Sequence, residues 1–325
     1  MGRVFIDGFE SGSLDLWDTI GGSAGINNSL TGRDGNYCLN CYGAGSAPKY
    51  LMNAIPSKSE LYVAFLFYPS VSGRIFSFYN SGTKLGYISL SSTSGGNIQA
   101  YKGPSTLLAT GTAMINGSTW YLIEIHYIPA TSGGVFQVKV NGISDISYSG
   151  STTPAATTIN QIMLSEDGNN WGSGYYDNII VDDANWIGNT RIQAIQVNGP
   201  GGFTQFTPSA GANWQNVEEI PYSETDYNET GVSAKVDTFT HAALSGSPAA
   251  VKCVQVQARA KLIGNPTPTN LQLVVNSGGT AYFSGSKALA LASKGVSALW
   301  ATDPATGQPW TVADVNAAEI GYKSV

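Results

Sequence analysis

The run GVFQVKVNG at positions 134–142 constrains the fold more than any other short stretch of this chain. Val135, Gln137 and Lys139 fall on one side of an extended strand, and Phe136, Val138 and Val140 on the other. Asn141-Gly142 then supplies the two residues that accept positive φ in a tight hairpin. A period of two closed by such a turn cannot be read as a helix. Comparable strand-like runs recur along the chain: LYVAFLFYP (61–69), apolar nearly throughout like a central strand, RIFSFYN (74–80), LGYISLS (85–91), WYLIEIHYI (120–128), NQIMLSE (160–166) and YYDNIIVDD (175–183).

A second set follows position 186: AKVDTFTH (234–241), AVKCVQVQARAKLIG (250–264), NLQLVVNSG (270–278), TAYFSG (280–285) and SALWAT (297–302). In the longest, Val254, Val256, Ala258 and Ala260 share one side. The only helical signal is near the C-terminus. There Thr311 stands as an N-cap, Asp314 occupies the capping-box position, Gly321 is expected to end the turn, and a short strand GYKS is expected to return to the sheet. At 325 residues, two domains are expected, divided into residues 1–187 and 188–325. The 39 glycines and the 12% of charged residues fit short strands joined by tight turns. The expectation is an all-β chain: an N-terminal sandwich, then a second, smaller β-sandwich with one short helix near the C-terminus.

Composition excludes some function classes. The 16 basic residues form no stripe that could neutralise phosphates, so no nucleic-acid partner is expected. No segment has the length and apolarity of a signal-peptide core or a membrane span, so synthesis in the cytoplasm and no membrane insertion are expected. Cys38, Cys41 and Cys253 are too few and too odd in number for a disulfide framework. Cys38-x-x-Cys41 lacks the second pair that zinc requires, and buried apolar thiols explain it better.

Two resemblances stand beside this reading. The opening FIDGFESGSLDLWD (5–18) and closing YYDNIIVDDANWIG (175–188) are similar to the ends of laminin-G-like, concanavalin A-like lectin sandwiches, which implies a jelly roll for residues 1–187. FTPSAGANWQNVEE (206–219), TDYN (225–228), AVKCVQVQARA (250–260) and DPATGQPWTVADVNAAEIGYK (303–323) resemble a C-terminal module of bacteriophage virion proteins. That second resemblance implies a non-catalytic structural protein of a tail, tail fibre or capsid decoration. It implies other virion proteins as partners, a homo-oligomer (trimer or ring), and location in the virion. The alternative is a carbohydrate-binding, lectin-like adsorption protein that contacts host surface glycan. A polysaccharide depolymerase is the third reading, and no glutamate begins the E-x-D-x-E pattern that a laminarinase-type hydrolase carries on one strand.

Two candidate sites follow. Trp171, amid Asp167, Asn169 and Asn170, offers a ring and polar neighbours for a sugar, although turn chemistry accounts for the same loop. Asp177 and Asp183 share strand parity, whereas Asp182 does not, and laminin-G-like sandwiches hold Ca²⁺ through loop oxygens. A backbone-bonded Asp177 and a solvated strand exit explain these aspartates better than a metal site does. No other cofactor is expected, and the two histidines have no catalytic motif around them.

Overall fold

Strand pairing dominates the computed structural model, which describes residues 2–30, 35–42, 48–165, 172–264 and 268–325. The chain divides into two units: Met1–Glu10 with Trp17–Ile192, and Ser11–Leu16 with Gln193–Val325.

In the first unit the apolar strand Leu61–Pro69 sits centrally in an eight-stranded antiparallel sheet. On one side follow Tyr121–Ile128, Gly134–Val140 and Ile143–Gly150; on the other follow Gly172–Asp182, Cys38–Tyr42 and Gly25–Asn27. Arg3–Asp7 also pairs with Gly172–Asp182. A seven-stranded sheet runs Thr106–Thr110, Ile98–Lys102, Thr83–Leu90, Gly73–Asn80, Ile159–Leu164, Tyr50–Lys58 and Thr19–Gly21. The chain passes repeatedly from one sheet to the other, which makes the unit a jelly-roll sandwich.

The hairpin foreseen at Asn141-Gly142 is present, with φ of 51° and 81°. The alternation before it is realised too: Phe136, Val138 and Val140 are buried, while Val135, Gln137 and Lys139 are half-exposed. Inner faces meet through aromatic rings. Phe65 stacks on Phe76 of the opposite sheet (5.5 Å) and Phe78 on Tyr127 (4.5 Å). The Tyr176 hydroxyl donates to the Ile75 carbonyl across the layer (2.9 Å). Cys38 and Cys41 are buried as free thiols in this unit. Burial pushes the Cys38 thiol up to about 12 and raises Cys41 as well.

Acidic residues of the opening motif hold backbone. Asp7 accepts the Phe9 N–H (2.8 Å) and the Trp17 indole N–H (2.8 Å), and Glu10 accepts the N–H groups of Asn36 and Tyr37 (2.9 and 3.1 Å). This is the part of the chain that the sequence leaves as loops, because its strands are only three to five residues long.

The second unit has a six-stranded antiparallel sheet in which Val197–Thr204, Val236–His241, Glu319–Ser324, Asn270–Ser277 and Thr280–Phe283 are neighbours in that order. Lys287–Ala288 completes it beside Asn270–Ser277. A two-stranded sheet, Val254–Ala260 with Lys294–Trp300, contributes Val256 to a core of Leu271, Leu273, Val275, Trp310 and Val315. The strand expected over 250–264 is therefore shorter, ending where its partner strand ends. Helix Val312–Ala317 begins as foreseen: the Thr311 hydroxyl accepts the Asp314 N–H (3.1 Å), and the Asp314 carboxylate accepts the Thr311 N–H (3.0 Å). Gly321 does not end that helix. It lies within the final strand, where a Cβ would fall 1.9 Å from the Asp237 carbonyl oxygen, so the close approach of two strands requires glycine there. The final strand, Glu319–Ser324, contains the GYKS expected to return to the sheet and lies between Val236–His241 and Asn270–Ser277. Among the described residues, no helix is long and apolar enough to cross a membrane.

Burial of Asp7 yields a pH prediction. Desolvation outweighs its two N–H bonds and raises its carboxyl from 3.8 to about 6. Between those values the folded chain keeps a proton that the unfolded chain has released, so stability falls as pH rises through that window. The penalty is absent below about 3.8 and complete above about 6, amounting to ~3 kcal/mol. Urea unfolding of wild type and Asp7→Asn should therefore show the variant gaining on wild type by about 2–3 kcal/mol from pH 4 to 6.5. A pH-independent difference would exclude this account.

Candidate functional site

Two residues of adjacent strands begin the site. Tyr175 pairs directly with Tyr68 in the eight-stranded sheet, and Gly172, three residues before Tyr175, pairs with Tyr42. Because side chains alternate along a strand, burying Phe67 and Tyr176 turns Tyr68 and Tyr175 to the outer face. The two rings meet edge to face with centroids 5.8 Å apart, and Tyr42 lies 6.2 Å from Tyr175. Trp120 backs Tyr68 at 5.4 Å. All three tyrosines are half-exposed.

These rings form one wall of a cleft of about 780 Å³ that also includes Leu30, Pro69 and Ser70. Its other wall is a loop pair, Thr93–Gly95 and Asn116–Ser118. Ser94–Gly96 and Ile115–Asn116 pair as two very short strands, and the Gly117 N–H donates to the Thr93 carbonyl (2.8 Å). The Ser118 N–H donates to the Pro69 carbonyl (3.2 Å), tying this wall to the end of the central strand. Backbone groups are thus engaged while side chains are not. The hydroxyls of Ser70, Thr93, Ser94 and Ser118 and the amide of Asn116 have no partner among the described residues. Burial raises the Tyr175 phenol, reinforced by neighbouring Cys38, Tyr42 and Tyr68, so it remains a neutral hydroxyl at physiological pH.

Another part of the outer face of the same sheet is filled by the chain itself. Ile187 packs on Ala64, Leu66 and Leu122, the Gly188 N–H donates to the buried Glu124 carboxylate (2.8 Å), and Lys139 lies 3.7 Å over the Trp186 ring. The His126 ring lies between Glu60 (2.6 Å) and Gln137 (3.1 Å) and stacks on Tyr62. Both carboxylates here, Glu60 and Glu124, are engaged in structural contacts.

The sequence-derived sites fare differently. Asp167, Asn169, Asn170 and Trp171 lie outside the described residues. The shared parity expected for Asp177 and Asp183 does not hold. The register of Gly172–Asp182 shifts between Asp177 and Ile180, around Asn178 at φ 51°, and this bulge moves the later residues to the opposite parity. Asp177 is buried and accepts the Asn178 N–H (2.7 Å), whereas Asp183 pairs with Lys58 (2.6 Å). Asp182 forms an ion pair with Arg3 (3.1 Å) and accepts from the N–H groups of Ala184 and Asn185. Among the described residues, no group of three or more His, Cys, Asp or Glu gathers as a ligand set.

In the second unit the polar residues of the FTPSAGANWQNVEE motif are structural. Asn213 donates to Asp237 (2.6 Å) and to the Phe206 carbonyl, and Asn228 donates to the Asn213 carbonyl and the Tyr322 hydroxyl (both 2.8 Å). Trp310 is buried, and its indole N–H donates to the Trp300 carbonyl (2.9 Å).

No family model matches the chain, and no curated protein matches it. Solved structures similar to it include domain 4 of a GH43 extracellular arabinanase from Geobacillus stearothermophilus in complex with arabinotriose. That likeness is 15% identical over 56% of this chain and 93% of that one, with a TM-score of 0.38. The carbohydrate recognition domain of Emp46p in its potassium-bound form is similar at 10% identity over 54% and 97%, with a TM-score of 0.34. A mutant of alginate lyase Aly36B with alginate trisaccharide is similar at 13% identity over 46% and 82%, also at 0.34.

The aspartate geometry predicts the response to calcium. With Asp183 on Lys58 and Asp177 buried beside its own backbone, millimolar CaCl₂ or EDTA should leave the melting temperature unchanged, as scanning calorimetry would read. Stabilisation that depends on Asp177 or Asp183 would overturn that expectation.

Proposed function

We propose that the first unit binds carbohydrate in the Tyr42–Tyr68–Tyr175 cleft and that the protein works as a binding protein without catalysis. One observation carries this reading: three half-exposed rings face side chains of Ser, Thr and Asn that have no partner among the described residues. A sugar ring offers C–H groups that pack on aromatic faces and hydroxyls that both donate and accept. Burying free polar groups without partners is unfavourable, so a ligand that satisfies them is preferred over an apolar one. Glycoside hydrolysis by the usual route needs a pair of carboxyl groups flanking the bond, and the described lining of the cleft supplies none.

Glycan-array screening of the full chain should give specific binding. Tyr68→Ala should weaken it about tenfold or more by calorimetry, equivalent to ~1.4 kcal/mol. Trp186→Ala, away from the cleft, should leave affinity within about twofold of wild type. Absence of binding to any glycan, or equal affinity in Tyr68→Ala, would reject the site.

The setting we propose is the surface of a bacteriophage particle, where such a cleft would serve adsorption to a host glycan. Support for it comes from the motifs in residues 206–219, 225–228, 250–260 and 303–323 that resemble a virion module. Peptide-mass analysis of purified particles should find the chain among the virion proteins, as part of an oligomer. Its absence from particles would remove the virion setting and leave the carbohydrate reading intact.

A further inference from the structure

The chemistry of the cleft also selects among glycans. We infer that it takes a neutral oligosaccharide in preference to a sialylated or uronate-containing one, an inference that rests on the carbohydrate reading above. None of the described lining residues carries a formal charge. Anionic sugars are commonly held by Arg or Lys, whose charge offsets the desolvation of the carboxylate. The cation bonded to a lining residue, Lys49, is buried and donates its ammonium to the Tyr42 carbonyl oxygen (3.0 Å), so it is already engaged.

The aromatic wall acts in the same direction. The face of a phenol ring is electronegative, so it attracts the weakly positive C–H face of a pyranose and repels a carboxylate brought against it. Three tyrosine rings in one wall multiply that discrimination. On the opposite wall, Ser94, Asn116 and Ser118 are exposed and can both donate and accept, which matches sugar hydroxyls without needing charge. The net charge of −6 adds a weak, salt-screened bias against anions. At about 780 Å³ the cleft is within the size range of small-molecule sites and has room for more than one sugar ring.

Matched probes test the inference on the full-length chain. A glycan array is followed by calorimetry on lactose against sialyllactose, and on cellotriose against trigalacturonate, in about 20 and about 500 mM NaCl. The expected result is binding of at least one neutral probe, at least about tenfold tighter than its anionic counterpart. That affinity should change less than about twofold with salt and should fall about tenfold or more in Tyr68→Ala, whose fold is checked by its melting transition. An anionic probe that binds tighter than its neutral counterpart, with affinity falling in high salt, would overturn the neutral-glycan inference while leaving carbohydrate binding standing. No binding to any glycan on the array would overturn both together.

Discussion

Tyr176 ties the two sheets of the first unit together. Its ring is buried between the two sheets against Phe65 and Phe67, and its hydroxyl reaches the Ile75 carbonyl of the opposite layer. Sliding the strand by one residue would bring Tyr175 inward and leave this bond unmade, along with the Tyr176 ring contacts to Phe65 and Phe67. Because the side-chain period of a strand is two, the same lock determines what faces outward. Tyr175 is out because Tyr176 is in, and Tyr68 is out because Phe67 is in. The aromatic wall of the cleft is in this sense a by-product of the core.

Much of the fold was legible in the sequence because it is written in local pattern. The Gly134–Val140 alternation, the Asn141-Gly142 turn and the Thr311/Asp314 capping box all depend on neighbours a few residues apart. What escaped depends on contacts between distant segments. The six-residue spacing of Asp177 and Asp183 looks in phase until the bulge at Asn178 shifts it, and nothing in the intervening Ile-Ile-Val announces a bulge. Gly321 reads as a helix terminator, yet its role is set by the Asp237 carbonyl of a neighbouring strand. The cleft was least legible of all, since its residues come from positions near 42, 68, 94, 117 and 175 and no one of those segments is unusual. The available hint was the adjacent pair Tyr175-Tyr176: two like rings in succession on a strand must face opposite ways, and one of them must find a use outside the core.

The second unit teaches a different lesson about motifs. Asn213, Asn228 and Asp237 hold loops against the Tyr322 region through a chain of hydrogen bonds. Such groups are unfavourable to bury singly and stabilising when each has its partner. A recurring run of polar residues can therefore mark a fold solution. In the cleft of the first unit, the side chains of Ser70, Thr93, Ser94, Asn116 and Ser118 have no hydrogen-bond partner among the described residues.

The buried thiols have a bearing on the life of the protein after it is made. A sulfur reacts with oxidants and disulfides as the thiolate, and Cys38 and Cys41 are both enclosed and held in the neutral form. Oxidation of these two sulfurs therefore waits on an opening of the sandwich that contains them.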